Sequence, residues 1–122
     1  MPVNSAVRDR CRTVLGNKGA IRYVFPALSV GPGGSANFLI VVTDLAVAVL
    51  ATRMFRGDRP VSVYATFPRD TRLGPITRAP GPVIELGDMT FEIDEEYAAV
   101  VAAADVEAFA PERLPLDPLP HL

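Results

Sequence analysis

A chain of 122 residues, 49% apolar and 21% charged, is about one domain. It can bury a sizeable core, and its composition falls in the ordinary globular range, so a soluble, folded protein is expected. The formal net charge of −2 hides an asymmetry: residues 1–78 carry eleven Lys/Arg and four Asp/Glu (+7), while residues 79–122 carry one and ten (−9). The two halves either neutralise one another within one fold or present opposite poles to partners.

Residues 4–15 (NSAVRDRCRTVL) read as a short helix. Asn4 or Ser5 supplies the N-cap, Ala6, Val7, Cys11, Val14 and Leu15 recur at helical spacing, and Gly16-Asn17 stops it. Cys11 is the single cysteine, which excludes an intrachain disulfide and fits a reducing, cytoplasmic compartment. The expectation is an inert thiol near a frayed N-terminus. No apolar h-region follows the first charges, so a secretory signal is not expected.

Residues 20–30 (AIRYVFPALSV) read as a strand, with Ile21, Tyr23 and Phe25 on one face and Pro26 marking an edge, bulge or bend. Gly31-Pro32-Gly33-Gly34-Ser35 reads as a loop; the Lys-Ser/Thr pair and following helix of a phosphate cradle are not there. Residues 37–52 (NFLIVVTDLAVAVLAT) are the most apolar stretch. They are too short to span a membrane, which takes about 20 apolar residues, and they place Asp44 at the centre. The preferred reading is a hairpin of two buried strands turning at Thr43-Asp44, and one helix from Leu39 to Arg53 is the competitor. Both strands are apolar on both faces, so a helix-plugged barrel or a second subunit has to cover them.

Residues 53–59 (RMFRGDR) read as a polar loop turning at Gly57-Asp58. Residues 61–67 (VSVYATF) alternate, with Val61, Val63, Ala65 and Phe67 facing in. Residues 72–78 read as a weak edge strand. Residues 83–86 and 89–93 form a hairpin across Gly87-Asp88, with Met89, Phe91 and Ile93 inward. Residues 94–109 are the strongest helix, capped by Asp94, with Glu95 and Glu96 in the first turn and Tyr97, Val100, Val101, Ala104 and Ala108 as one stripe. Residues 1–109 thus form one domain, and residues 110–122, a tail with four prolines after Ala110, are expected to be extended or disordered.

The predicted class is α+β, mostly β: a small antiparallel barrel or curved sheet of six or seven short strands, plugged by the C-terminal amphipathic helix, with a short N-terminal helix. Over residues 20–109 this order resembles bacterial pleckstrin-homology-like domains. The matching residues are Val41-Val42-Thr43-Asp44 at the turn, Val47 to Leu50 in the second strand, and the helix 97–109. That resemblance implies a domain that binds lipids, peptides or proteins. In the family the turn is usually followed by basic residues, whereas here Leu45-Ala46 follow.

No nucleophile has a base in reach: Cys11 and His121 lie near opposite ends of the chain, so no catalytic residue is assigned. Asp94-Glu95-Glu96 lack the alternating pattern of a calcium loop, and Asp88, Glu92 and Asp94 are the better-spaced acids; neither set calls for a metal, and no cofactor is called for. The candidate anion- or partner-binding residues are Arg53, Arg56, Arg59, Arg69, Arg72 and Arg78, whose planar forks suit carboxylates and phosphates. The expected function is a non-catalytic binding or assembly module, engaging a protein or a second copy of itself. Anionic lipid through the arginines is the alternative, and a small-ligand or catalytic domain the third. With no Trp and few aromatics among the basics, the sequence argues against nucleic acid. Eleven arginines against one lysine point to a GC-rich bacterial genome.

Overall fold

The computed structural model describes residues 5–16, 19–31, 34–53, 56–78 and 81–108, with the side chains of Val30, Arg53 and residues 56–59 excepted. The elements in chain order are α1 (Ser5–Leu15), β1 (Ile21–Gly31), β2 (Gly34–Thr43), β3 (Ala46–Arg53), β4 (Arg56–Pro68), β5 (Thr77–Arg78), β6 (Pro82–Leu86), β7 (Met89–Glu92), a 3₁₀ turn (Glu95–Tyr97) and α2 (Ala98–Ala108). The seven strands form one antiparallel sheet in the order β4-β3-β2-β1-β7-β6-β5. Its hydrogen-bonded ladder is open, with β4 and β5 as the end strands. No helix among the described residues is long and apolar enough to cross a membrane.

The apolar stretch is a hairpin, as its turn chemistry dictates. Thr43 Oγ1 accepts from the backbone N–H of Leu45 and of Ala46, each at 3.1 Å, so one buried hydroxyl shapes the β2–β3 turn. Both faces are covered, and by different elements. Phe38, Ile40 and Val42 of β2 and Val47 and Val49 of β3 join Phe25, Ile84, Phe91, Val101 and Ala104 in the larger core. Leu39, Val41, Ala48 and Leu50 point the other way and join Val7, Cys11 and Leu15 of α1. The N-terminal helix therefore covers the second face. Cys11 is 0% exposed and central to that contact, which corrects the expectation of a thiol at a frayed end. Gly16, at φ +66°, ends α1 by returning its N–H to the Arg12 carbonyl at 2.9 Å, a left-handed cap that suits glycine.

The strands of the first half are longer than the turn residues suggested. Gly31 pairs with Gly34 and Val30 with Ser35, so residues 31, 34 and 35 of the expected loop are strand, and residues 32 and 33 lie outside the described residues. Arg53 pairs with Arg56, so of the polar loop expected at residues 53–59, Arg53 and residues 56–59 are strand, residues 54 and 55 lie outside the described residues, and Gly57-Asp58 lie inside β4. Bulges, which period-2 counting does not see, break the expected alternation. In β1, Ile21 pairs with Thr43 but Tyr23 with Val42, leaving Arg22 as the extra residue. Ile21 consequently packs with the α1 core, while Tyr23 packs with the larger one. In β4, Tyr64 and Val61 are extra residues, because Ala65, Val63, Ser62 and Pro60 pair with Val49, Leu50, Ala51 and Thr52.

The sheet curls so that its two halves share the larger core. Phe38 of β2 meets Phe91 of β7 edge-on at 5.7 Å, and Phe25 stacks on Tyr97 at 6.3 Å. The β6–β7 turn reaches β4: a Cβ on Gly87 would stand 3.1 Å from Phe67 Cε1. With φ +60° as well, Gly87 is where only glycine satisfies both backbone and space. The gap between β4 and this hairpin is thus bridged by a side chain. The expected edge strand at residues 72–78 is reduced to Thr77–Arg78. The helix expected from Asp94 starts as a 3₁₀ turn; Asp94 takes the N-cap position but makes no side-chain cap.

Candidate functional site

The described part of the acidic C-terminal third packs on the basic two-thirds through β7 and α2, and α2 carries most of the polar side-chain contacts between them. Asp105 accepts from the backbone N–H of Leu73 at 2.7 Å and of Gly74 at 2.8 Å, clamping the segment after β4 and leaving Leu73 1% exposed. Two turns of helix are thereby fastened to a stretch with no ladder of its own. One half-turn on, Glu107 lies between three donors. Arg22 Nε donates to Oε1 at 2.8 Å, and the Tyr23 phenol donates to Oε2 at 2.9 Å. Arg69 Nη2 stands 3.7 Å from Oε1 and donates to the Ala104 carbonyl at 3.2 Å. Arg22 Nε also stands 3.9 Å from Asp44 Oδ1 in the β2–β3 turn. The Arg22 hydrogen bond is the main cause holding the Glu107 carboxyl below its ordinary value; burial and then the Glu107 bond push the Tyr23 phenol up.

The β1 bulge explains why Arg22 can do this. An extra residue re-aims its side chain, and the guanidinium leaves the strand's alternation to meet α2. Sequence reading missed Arg22, Tyr23, Asp105 and Glu107. The one signal present was the +7/−9 division of charge, which named no pairs.

The six arginines singled out from the sequence do not form one patch of described side chains. Arg53 and Arg56 begin and end the β3–β4 hairpin tip and Arg59 lies within β4; their side chains are outside the described residues. Arg69 is 11% exposed and faces Glu107 and Ala104. Arg72 is exposed between β4 and β5. Arg78 donates to Glu95 through Nη2 at 2.8 Å and Nε at 3.3 Å. That bond lowers the Glu95 carboxyl and raises the Arg78 guanidinium.

The acids weighed for a metal are also dispersed. Asp88 sits in the β6–β7 turn, at the opposite end of β7 from Glu92 and Asp94. Among the described residues no three His, Cys, Asp or Glu side chains converge on one point. Glu92 and Asp94 instead line a cleft of about 400 Å³ with Asn37, Pro26, Leu28 and Ile93, where β1 and β7 begin to pair. Cys11 is buried, and its thiol is pushed up to about 11 by that burial, with Arg8 and Arg12 acting in the opposite direction. A thiol held so high is a poor nucleophile at neutral pH.

The remaining feature lies on β4. As an end strand it has a ladder partner on one side only, and α1 runs close to it. Val61 is 52%, Val63 39% and Tyr64 60% exposed. The alternation had placed Val61 and Val63 inside with Ala65 and Phe67. The bulges at Val61 and Tyr64 reverse this, setting Val63 opposite Leu50 and leaving Tyr64 against the edge of Phe38 at 5.2 Å. Pro60, which cannot donate to a ladder, is tolerated here because the strand is irregular and at the edge. Compared with known proteins, the chain matches no family model and no curated protein sequence.

Proposed function

We propose that the protein is a non-catalytic binding module that engages a protein partner, or a second copy of itself, through β4. The observation that carries this is a run of three large apolar side chains, Val61, Val63 and Tyr64, exposed on an end strand. Such a strand offers unpaired backbone groups for an added strand and side chains for specificity. The bulges blunt the edge against indiscriminate pairing, as natural end strands require. The pleckstrin-homology-like reading of residues 20–109 draws support from β2 running into the Thr43-Asp44 turn, the β3 strand after it, and α2 packed on the concave core. The anionic-lipid reading draws less, because Arg69 and Arg78 already face Glu107 and Glu95.

The test is a charge placed on these β4 side chains. Val61→Lys combined with Tyr64→Lys charges β4; because Tyr64 also packs edge-on against buried Phe38, far-UV circular dichroism is used to confirm that the double variant keeps the fold. Sedimentation velocity at high micromolar concentration, and crosslinking in the native host read by mass spectrometry, should show association through residues 60–68 that the double variant loses. A monomeric wild type with no crosslink in that segment would sink the proposal.

A further inference from the structure

The Arg69 side chain is 11% exposed, and its guanidinium donors are incompletely matched. Nη2 has the Ala104 carbonyl, Glu107 is an ion-pair neighbour at 3.7 Å rather than a hydrogen-bonded one, and Nε, buried, finds no hydrogen-bond partner among the described residues. Buried polar atoms are nearly always paired, so an unmatched donor in a charged cluster marks capacity the chain's own groups do not use. Beside it Arg22 and Tyr23 hold Glu107 at 2.8 and 2.9 Å. Two guanidinium forks and a phenol thus converge on one carboxylate, the geometry of a carboxylate receptor.

We propose that Arg22, Tyr23 and Arg69 form a carboxylate-binding cradle that Glu107 fills from within the chain, and that a glutamate or aspartate side chain of an acidic peptide takes its place. The present occupant is itself a peptide-borne carboxylate, which favours that class over a phosphate. Exchange is feasible because the cradle opens to solvent: the Arg22 side chain is 44% exposed and Glu107 20%. Asp44, 3.9 Å from Arg22, keeps one carboxylate beside that guanidinium when Glu107 leaves, so the incoming acid pairs chiefly with Arg69. The cradle is distinct from the exposed β4 side chains: Tyr64 lies within β4, whereas Arg69 lies in the turn after Pro68.

The experiment titrates the full-length chain with acetyl-(Ala-Glu)₃-amide and with the matching Ala-Gln peptide, following backbone and arginine Nε resonances by NMR. Glu107→Gln removes the competing charge and keeps the side-chain shape. It should bind the Glu peptide about tenfold more tightly than wild type does, with shifts at Arg22, Tyr23 and Arg69, and should ignore the Gln peptide. In wild type, saturating Glu peptide should move the signals of Glu107 and Ala108 together with those three. That arm keeps the question open to refutation even if the variant does not fold. Equal response to both peptides, shifts centred elsewhere, or no movement of residue 107 in wild type would each overturn the proposal. So would inorganic phosphate binding the cradle in preference to the Glu peptide.

Discussion

α2 and α1 cover opposite faces of the same β2–β3 hairpin, and they do it with different kinds of force. α2 sets Val101 and Ala104 into the larger core beside Tyr97, then adds Asp105 to two backbone N–H groups and Glu107 to Arg22 and Tyr23. α1 meets its face through Val7, Cys11 and Leu15, and its side-chain polar contacts among the described residues, Arg12 and Thr13 to Asp9, stay inside the helix. Apolar burial is non-directional and roughly proportional to area, so it decides that a face is covered. Charge-assisted hydrogen bonds demand geometry, so they decide the register in which it is covered. The helix that closes the larger core is fixed in register; the helix on the outer face is held by area.

The largest expected effect comes from cutting the directional side. Asp105→Ala strands two N–H groups, Leu73's and Gly74's, on a segment without a ladder. With hydrogen bonds to charged groups worth roughly 1.5–3 kcal/mol each and partial solvation of the segment, the loss should be about 3 kcal/mol. Asp105→Asn keeps one acceptor and should lose about half. Urea unfolding monitored by far-UV circular dichroism reads both; a change in the Asp105→Ala midpoint no larger than that of a surface variant would show that the clamp does not hold the segment.

On the α1 side, Cys11→Ala removes a buried sulfur without stranding a donor, and should cost only about 1 kcal/mol at neutral pH. Its pH dependence is more distinctive. Burial raises the thiol from an ordinary 9.0 to about 11, so the folded state resists ionisation. The stability this represents is whole below pH 9 and is lost as pH rises from about 9 to about 11. Tyr23 and Tyr97, also raised, contribute equally to wild type and variant, so the difference between the two isolates Cys11. The gap should close as the pH climbs through that window. A constant gap would mean that Cys11 is in contact with water.

How much of this could be read from residues alone follows the same division. Elements set by area were legible: the hairpin at residues 37–52, the inward Phe91 and Ile93, and the stripe on α2 all follow from apolar spacing. The small residues of the loops misled, because Gly31 and Gly34 pair with each other in the β1–β2 ladder and Gly57 lies within β4. The exposed side chains of β4 were misplaced because each of its two extra residues, Val61 and Tyr64, inverts the positions that follow it, and nothing in VSVYATF announces a bulge. The Arg22–Glu107–Arg69 cluster joins residues 85 apart in the chain, and local pattern carries no information at that range. Charge asymmetry said that the halves attract, not which atoms meet.

The two smaller predictions separate a pair that positions α2 from one that only decorates it. Glu107 has its pKa lowered chiefly by Arg22, so its contribution is present above the ordinary value of 4.5 and lost as pH falls through the lowered one. Glu107→Gln should therefore cost roughly 0.5–1 kcal/mol at neutral pH, discounted for the exposure of Arg22, and the gap should shrink on acidification. Arg78 and Glu95 make a shorter list of contacts in full solvent, with 52% and 65% of their side chains exposed. Arg78→Ala should leave the thermal midpoint unchanged within scatter at any salt concentration, because screening and side-chain entropy offset the attraction. If Arg78→Ala destabilised the fold as much as Glu107→Gln, the register of α2 would be set from its start at the 3₁₀ turn as well as from its end, and the division between the two helices would lie in charge rather than in burial.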